Sequence, residues 1–441
     1  MTNETSNLSQ RAIQSLNIAN PMKDTLMDAW DYVFHPVNPV INLGVAQNDL
    51  MNEELSKKIP ASIGFDLTDL NYGRPEGSDR LRQLVASTIT RHFKPIQDVE
   101  PDHIIVTAGA GAAIFYLTMA LTDPGDSILV VSPYYGNFDA DVSFNSQVDL
   151  VPLYLNANGD DWDMHVDDKV LEQTMIDATN NKGKRVKALL ITNPHNPFGR
   201  CFSLEGLKTL LQFASRHHLH VISDEVYGLS AFGDLVDQND VKYIQQDNGF
   251  LSLLSFPNLD QVIDPSFVHV TYSMSKDFCM NGLRMGFVID QHNKELRTLL
   301  STSAMFSWAS SISDRLVANI LEDEAWVDHF LATNKQRLAS AYKVAIDELV
   351  RHGLDFIPAN AGHFVTVDAR ALLKKKKNGA SLTIQDERWL WKNLLERGVY
   401  IASGHVFHTR SPGVFRVTFT IQEEKLRKGI AILAQVLQSS A

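Results

Sequence analysis

The sequence predicts an α/β fold: a mostly parallel sheet between helices, followed by a smaller α+β domain. Three observations carry that expectation. Between residues 104 and 224, short apolar runs alternate with helical stretches, the rhythm of strands covered by helices on both faces. Each run ends in a loop rich in Gly, Pro, Asn or Ser, and ligands of such sheets sit at the carboxyl ends of the strands. After about residue 310 the pattern changes to long helical stretches and then a few short strands.

The elements follow in order. Residues 1–50 read as a polar N-terminal arm with a helix or two, interrupted by Pro21, Pro36 and Pro39, and contributing part of the smaller domain. Val40 to Ala46 is an extended segment, followed by Gln47. A turn-rich loop around Tyr72 and Gly73 feeds a helix from Ser78, a suitable N-cap, to about His92. Strands are expected at 104–107, 127–131, 188–192, 220–223 and 267–272, and helices at 108–121 and from about Leu204. Residues 51–310 form the large domain. Residues 311–441 form the small one, helical to His352, with strands near 354–357, 363–367 and 414–419.

Composition bounds the function. The chain has 441 residues and a formal net charge of -12, which argues against nucleic acid or an anionic membrane as its partner. The basic run Lys374 to Lys377 reads as a solvated helix end or loop. Two cysteines, Cys201 and Cys279, make no disulfide framework. No apolar run reaches membrane-spanning length and no secretory leader is visible at the start. A cytoplasmic protein is expected.

The chemistry concentrates at Tyr272-Ser273-Met274-Ser275-Lys276 and Gly282-Leu283-Arg284-Met285-Gly286. Lys276 leaves a strand end beside two hydroxyls and an arginine. Taken alone it would be a solvated lysine. With its neighbours it suits an aldehyde cofactor that carries a phosphate: the amine forms a Schiff base, and hydroxyls and guanidinium hold the phosphate. Ala110 and Gly111 open a helix after a strand, where backbone N–H groups can approach a phosphate. Tyr134 and Tyr135 could stack on a ring. Asp224 could pair with a protonated pyridine nitrogen, and Asn196 and Tyr227 with a ring hydroxyl. Arg416 could grip a carboxylate. The histidines have no metal-ligand spacing.

Together these motifs resemble the fold-type I pyridoxal-phosphate enzymes, the class I/II aminotransferase family, and within it the 1-aminocyclopropane-1-carboxylate (ACC) synthase branch. The resemblance rests on Asn71-Tyr72-Gly73, Asp123-Pro124-Gly125-Asp126, Pro133-Tyr134-Tyr135, Asn193 to Gly199, Ser223 to Tyr227, Ser273 to Gly286 and Phe415-Arg416-Val417. It implies a seven-stranded sheet in the large domain, pyridoxal 5'-phosphate as cofactor, and an internal aldimine at Lys276, which later moves the Cα proton. It implies pairing of Asp224 with the ring nitrogen, stacking by Tyr135, and a phosphate held by Ala110, Gly111, Ser273, Ser275 and Arg284. It further implies an α-carboxylate on Arg416 and a homodimer in which Tyr72 enters the partner's site.

Two departures stand out. Gln47 occupies the place of a glutamate that the ACC synthases tie to their sulfonium substrate. The loop Ala110-Gly111-Ala112-Ala113 lacks that branch's hydroxyl and Asn-Glu pair. The expected activity is therefore a lyase acting on a sulfur-bearing α-amino acid, S-adenosylmethionine or a cysteine conjugate. The alternative is an aminotransferase.

Overall fold

A computed structural model describes residues 7–35, 37, 39–144, 146–157, 162–236 and 249–439. Its strands in chain order are β1 (Ile41–Asn42), β2 (Ile104–Thr107), β3 (Asp126–Ser132), β4 (Asp149–Tyr154), β5 (Arg185–Thr192), β6 (His220–Asp224) and β7 (Val268–Ser273). They continue with β8 (Gly286–Ile289), β9 (Asp355–Ile357), β10 (Phe364–Asp368), β11 (Val399–Tyr400), β12 (Ala402–Ser403) and β13 (Val414–Thr418).

Seven strands form the main sheet in the order β2-β8-β7-β6-β5-β3-β4. Only β8 runs antiparallel to its neighbours. The central strands are buried on both faces because they carry apolar residues on both sides of the sheet. In β3, Leu129 and Val131 enter one core while Ile128 and Val130 enter another on the opposite face, the two-residue period of a pleated strand. Two strands of this sheet were not foreseen. The edge strand β4 is mostly part-exposed and carries Pro152, which an edge tolerates. The apolar β8 begins at Gly286, where the lysine motif ends, and was given no assignment.

The smaller sheet is antiparallel, in the order β12-β13-β10-β9. A parallel pair, β1 with β11, ties the N-terminal segment to it, and Leu43 sits in the same core as Val365, Phe415 and Leu433. The first core does not stop at residue 310. Val317, Ile320, Val327 and Phe330 still belong to it, and the second core takes over from Leu338. The 28-residue helix Glu324–Arg351 therefore crosses from one core to the other.

The N-terminal arm holds three short helices, Gln10–Leu16, Pro21–Asp28 and Trp30–Val33. Asn20 caps the second, its Oδ1 accepting from Lys23 N at 2.9 Å, with Pro21 at the first helical position.

Candidate active site

A cavity of about 320 Å³ opens at the carboxyl ends of β5, β6 and β7, between the main sheet, the small domain and the helix Pro21–Asp28. Eleven of the thirteen residues expected in the site line it: Ala110, Gly111, Tyr135, Asn196, Asp224, Tyr227, Ser273, Ser275, Lys276, Arg284 and Arg416.

Lys276 follows β7 directly. Its backbone is fixed by its neighbour Asp277, whose carboxylate accepts from Leu229 N (2.9 Å), Ser230 Oγ (2.5 Å) and Tyr272 Oη (3.0 Å). The Lys276 amine gives its proton to Ala46 O at 2.7 Å and lies 5.8 Å from the Tyr227 ring centre. Burial, reinforced by the charge of Arg416, lowers its pKa to about 8. About a tenth of such an amine is unprotonated at pH 7, far more than of an ordinary lysine, and that fraction is the nucleophile that Schiff-base chemistry requires.

Asp224 ends β6, where β7 pairs alongside. Burial raises its carboxyl to about 7, opposed by hydrogen bonds from Val226 and Thr271. Without a cation such a group is costly. A protonated ring nitrogen is the partner that would return it to the ionised form.

Past Thr107 at the end of β2, the chain turns through Gly109 into the helix Ala110–Leu121. Gly109 has φ 92°, and a Cβ there would stand 2.3 Å from Arg284 Nη2. A Cβ on Gly286 would meet Ala110 N at 2.6 Å. Two glycines thus allow a helix N-terminus and a guanidinium to converge on one small space. Arg284 gives Nη1 to Asn281 O at 2.9 Å and has no ion-pair partner among the described residues. The donor set fits a phosphate, and with Lys276 and Asp224 it fits pyridoxal phosphate: Ala110, Gly111, Ser273, Ser275 and Arg284 would hold the phosphate end.

Arg416 projects from β13 and is buried. Nη1 donates to Asn196 Oδ1 (2.8 Å) and Nη2 to Gly44 O (2.6 Å), while Nε has no partner among the described residues. The rings of Phe364 and Phe407 sandwich the guanidinium at 4.7 and 4.6 Å. Its charge lacks a counter-ion among the described residues, and its pKa is lowered by burial. A substrate carboxylate would satisfy it.

Two expected residues stand apart. The Gln47 side chain is exposed and does not line the cavity; its backbone O accepts from Thr420 Oγ1. Within its own chain the side chain therefore lies away from the cavity, although the carbonyl of the preceding Ala46 accepts from Lys276. Tyr72 is 94 % exposed and packs on Trp308, with ring centres 5.5 Å apart; it too stays out of its own chain's cavity. Tyr134 turns into the core, stacking on His408 and donating to Asp139 Oδ1 at 2.8 Å.

Other lining residues were missed. Met22 and Leu26 enter from the N-terminal helix, Val45, Tyr400 and Val406 from the small-domain side, and Asp141 beside Gly111. Burial, then the charge of Asp224, raises Asp141 to about 7. The i, i+4 spacing of Met22 and Leu26 was the one available signal; Tyr400 and Val406 stand in no motif.

Comparison with known proteins agrees with this geometry. The family described as "Aminotransferase class I and II" matches residues 38–433. The chain belongs to that family. It is 31 % identical over 420 residues to mouse "1-aminocyclopropane-1-carboxylate synthase-like protein 1", covering 94 % of this chain and 79 % of the relative. It is 32 % identical over 406 residues to "Probable aminotransferase tcpI" of Claviceps purpurea (strain 20.1), covering 90 % and 89 %. Among solved structures, an archaeal alanine:glyoxylate aminotransferase superposes with a TM-score of 0.77 at 21 % identity over 98 % of both chains, a likeness of fold. This class I/II member is a pyridoxal-phosphate-dependent enzyme. No helix among the described residues is long and apolar enough to cross a membrane.

Proposed function

We propose that this enzyme is a carbon–sulfur lyase that acts on a cysteine conjugate, a free α-amino acid with an uncharged thioether side chain. One observation carries the reading. The cavity's cations are Lys276, Arg284 and Arg416, and the cofactor and the α-carboxylate take all three. The wall left for the side chain is apolar: Met22, Leu26, Val45, Ala402 and Val406. A thioether suits that wall; a second carboxylate does not. S-adenosylmethionine is disfavoured, since Gln47 is uncharged and lies outside the cavity.

Bound pyridoxal phosphate supplies an electron sink for the substrate Cα. The chain's residues do the rest. Arg416 and Asn196 grip the α-carboxylate and fix which Cα bond faces the ring. Asp224 would pair with the ring nitrogen and favour its protonated form, and Tyr227 and Tyr135 would hold the ring. The neutral Lys276 amine takes the Cα proton. The Cβ–S bond then breaks, the sulfur leaves with the bonding pair as thiolate, and hydrolysis of the remaining three-carbon enamine gives pyruvate and ammonia. The test is incubation with an S-alkyl cysteine: thiol and pyruvate in equal amounts are expected. A new amino acid formed only when a 2-oxo acid is added, with no thiol, would select transamination instead. That second reading draws on the name of the Claviceps relative and on a wall that would accept any apolar amino acid.

The same proposal includes a homodimer in which Tyr72 serves the partner's cavity. Its support is an exposed apolar band of Phe65, Leu67, Leu70, Tyr72 and Phe306, each at least 59 % exposed, more than a lone soluble chain normally leaves bare. Mixing inactive Tyr72→Ala and Lys276→Ala chains should restore activity, because the hybrid holds one intact site. No recovery in a mixture that forms hybrids would remove the shared site.

A further inference from the structure

The short helix Phe138–Ser143 follows the loop of Tyr135 and packs along the helix Ala110–Leu121. It brings a carboxyl to the end of the cavity where that helix N-terminus and Arg284 converge. Asp141 lines the cavity and is only part-buried. A Cβ on Gly111 would stand 2.9 Å from its Oδ1 and 3.3 Å from its Oδ2. The carboxyl therefore fills the space that a side chain at position 111 would take. The loop Ala110 to Ala113 has no hydroxyl of its own to offer. Asn137 Nδ2 donates to Asp141 Oδ1 at 2.9 Å. Oδ2 has no partner among the described residues and keeps accessible surface.

An ionised carboxyl is out of place here, because a phosphate held by Ala110, Gly111 and Arg284 would repel it. Even in the empty cavity, burial and then the charge of Asp224 raise Asp141 to about 7, against the opposing pull of Asn137 and Arg284. A phosphate would engage Arg284 and add negative charge of its own, and both changes favour the proton. The remaining groups around Asp141 do not reverse this. The Tyr135 phenol is pushed up to about 12 by burial. The helix Ala110–Leu121 carries no charged residue. The edge strand β4 has one carboxylate, Asp149, at its start and paired with Lys184.

We infer that Asp141 is a further cofactor-binding residue: its protonated carboxyl donates from Oδ2 to the phosphate of pyridoxal phosphate and supplies the donor that position 111 lacks. A hydrogen bond to a charged acceptor is stronger than one between neutral groups. Binding of the cofactor then takes up a proton whenever the free carboxyl has lost its own. Affinity is full below about pH 7 and falls as pH rises above it, because the carboxyl holds its proton more tightly in the complex than in the free protein. The effect is on retention of the phosphate; the speed of capture at saturating cofactor stays with the Lys276 amine. The inference rests on the cofactor and not on the lyase reaction.

The test is equilibrium binding of pyridoxine 5'-phosphate, followed by protein fluorescence, to the full chain freed of cofactor. This probe has no aldehyde, so Lys276 forms no bond to it, and no turnover is read. Asp141→Asn keeps a donor and cannot ionise. Between pH 6 and pH 8 the wild type should lose about tenfold more affinity than Asp141→Asn, as expected for one proton and a midpoint near 7. Pyridoxine, which keeps the ring and lacks the phosphate, should show no such difference, which sets aside Asp224 and the ring nitrogen. Asp141→Ala has no donor at any pH and should bind pyridoxine phosphate about tenfold more weakly than Asp141→Asn throughout. Parallel pH profiles for the wild type and Asp141→Asn, the same excess with pyridoxine, or equal binding by the two variants would each overturn the inference. Should the variants fail to fold, proton uptake by the wild type at pH 8 decides, read by calorimetry in buffers of different ionisation heat. About one proton more per site is expected with pyridoxine phosphate than with pyridoxine, and no difference refutes the inference.

Discussion

The two sides of the active-site cavity are built differently. One side is a row of strand ends: Asp224 ends β6, Ser273 ends β7, and Lys276 follows three residues on. Its groups are polar and buried, and burial shifts the pKa values of Lys276 and Asp224 toward neutrality. The other side comes from the N-terminal helix and the small domain, through Met22, Leu26, Val45 and Val406, and apart from Arg416 it is mostly apolar. In the proposed reaction the strand-end side would carry out the bond-breaking steps, and the opposite side would decide which amino acid is admitted. Substitutions on the first should therefore act on kcat, and those on the second on KM and on the choice of substrate.

The largest effect falls on the strand-end side. Lys276→Ala should lower kcat by about 10²–10⁴-fold, the usual worth of a positioned proton-transfer group, and more if cofactor is lost. Mass spectrometry after borohydride treatment should find cofactor attached to Lys276 in the wild type and to no residue in the variant. Attachment elsewhere would shift the chemistry to another lysine. Next is Arg416→Ala, which should weaken kcat/KM for amino acids by about 2–5 kcal/mol, as when one partner of a buried charge pair is removed. Arg416→Lys should rescue little, since it keeps the charge but not the fork that meets both Asn196 and Gly44. A full rescue would mean that charge alone is read.

The same division explains what the sequence disclosed. Lys276, Asp224 and Arg416 were legible because each sits in a local motif at a strand end or in a strand, where a few neighbours fix its direction. The βαβ rhythm was legible because β3, β5 and β6 are apolar runs of ordinary length. The strand β8 was not, because its four residues begin at Gly286, the last residue of the lysine motif, and make too short a run to stand out. Met22, Leu26 and Tyr400 were not legible as site residues because only tertiary packing brings residues 22, 26 and 400 beside 276. The direction of the Gln47 side chain was not legible for a related reason: its place in a motif did not disclose that it is exposed.

A moderate effect should separate the sides by pH. Burial lowers the Lys276 amine to about 8, so below that pH the protonated form dominates and cannot attack an aldehyde. The rate at which apoprotein captures pyridoxal phosphate should rise by about tenfold per pH unit below the midpoint, and level off above it. Leu26→Ala, on the opposite side, should leave the midpoint in place. A midpoint displaced toward the ordinary lysine value would mean that the helix Pro21–Asp28, more than the strand-end side, desolvates the amine.

The smallest effects test the selecting side directly. Leu26→Ala removes apolar contact without touching Lys276, so kcat/KM should shift by about 1–3 kcal/mol between a small and a bulky S-alkyl cysteine, the range expected for a reshaped apolar pocket. The bulkier substrate should gain, and kcat for the small one should hold. Gln47→Ala is the control, because its side chain is exposed and outside the lining; kcat and KM should stay within about 0.5 kcal/mol of wild type. A large change at Gln47 beside a silent Leu26 would reverse the assignment. Selection would then reach the cavity through a surface completed by another chain, or through the backbone that joins Gln47 to Ala46, whose O accepts from Lys276.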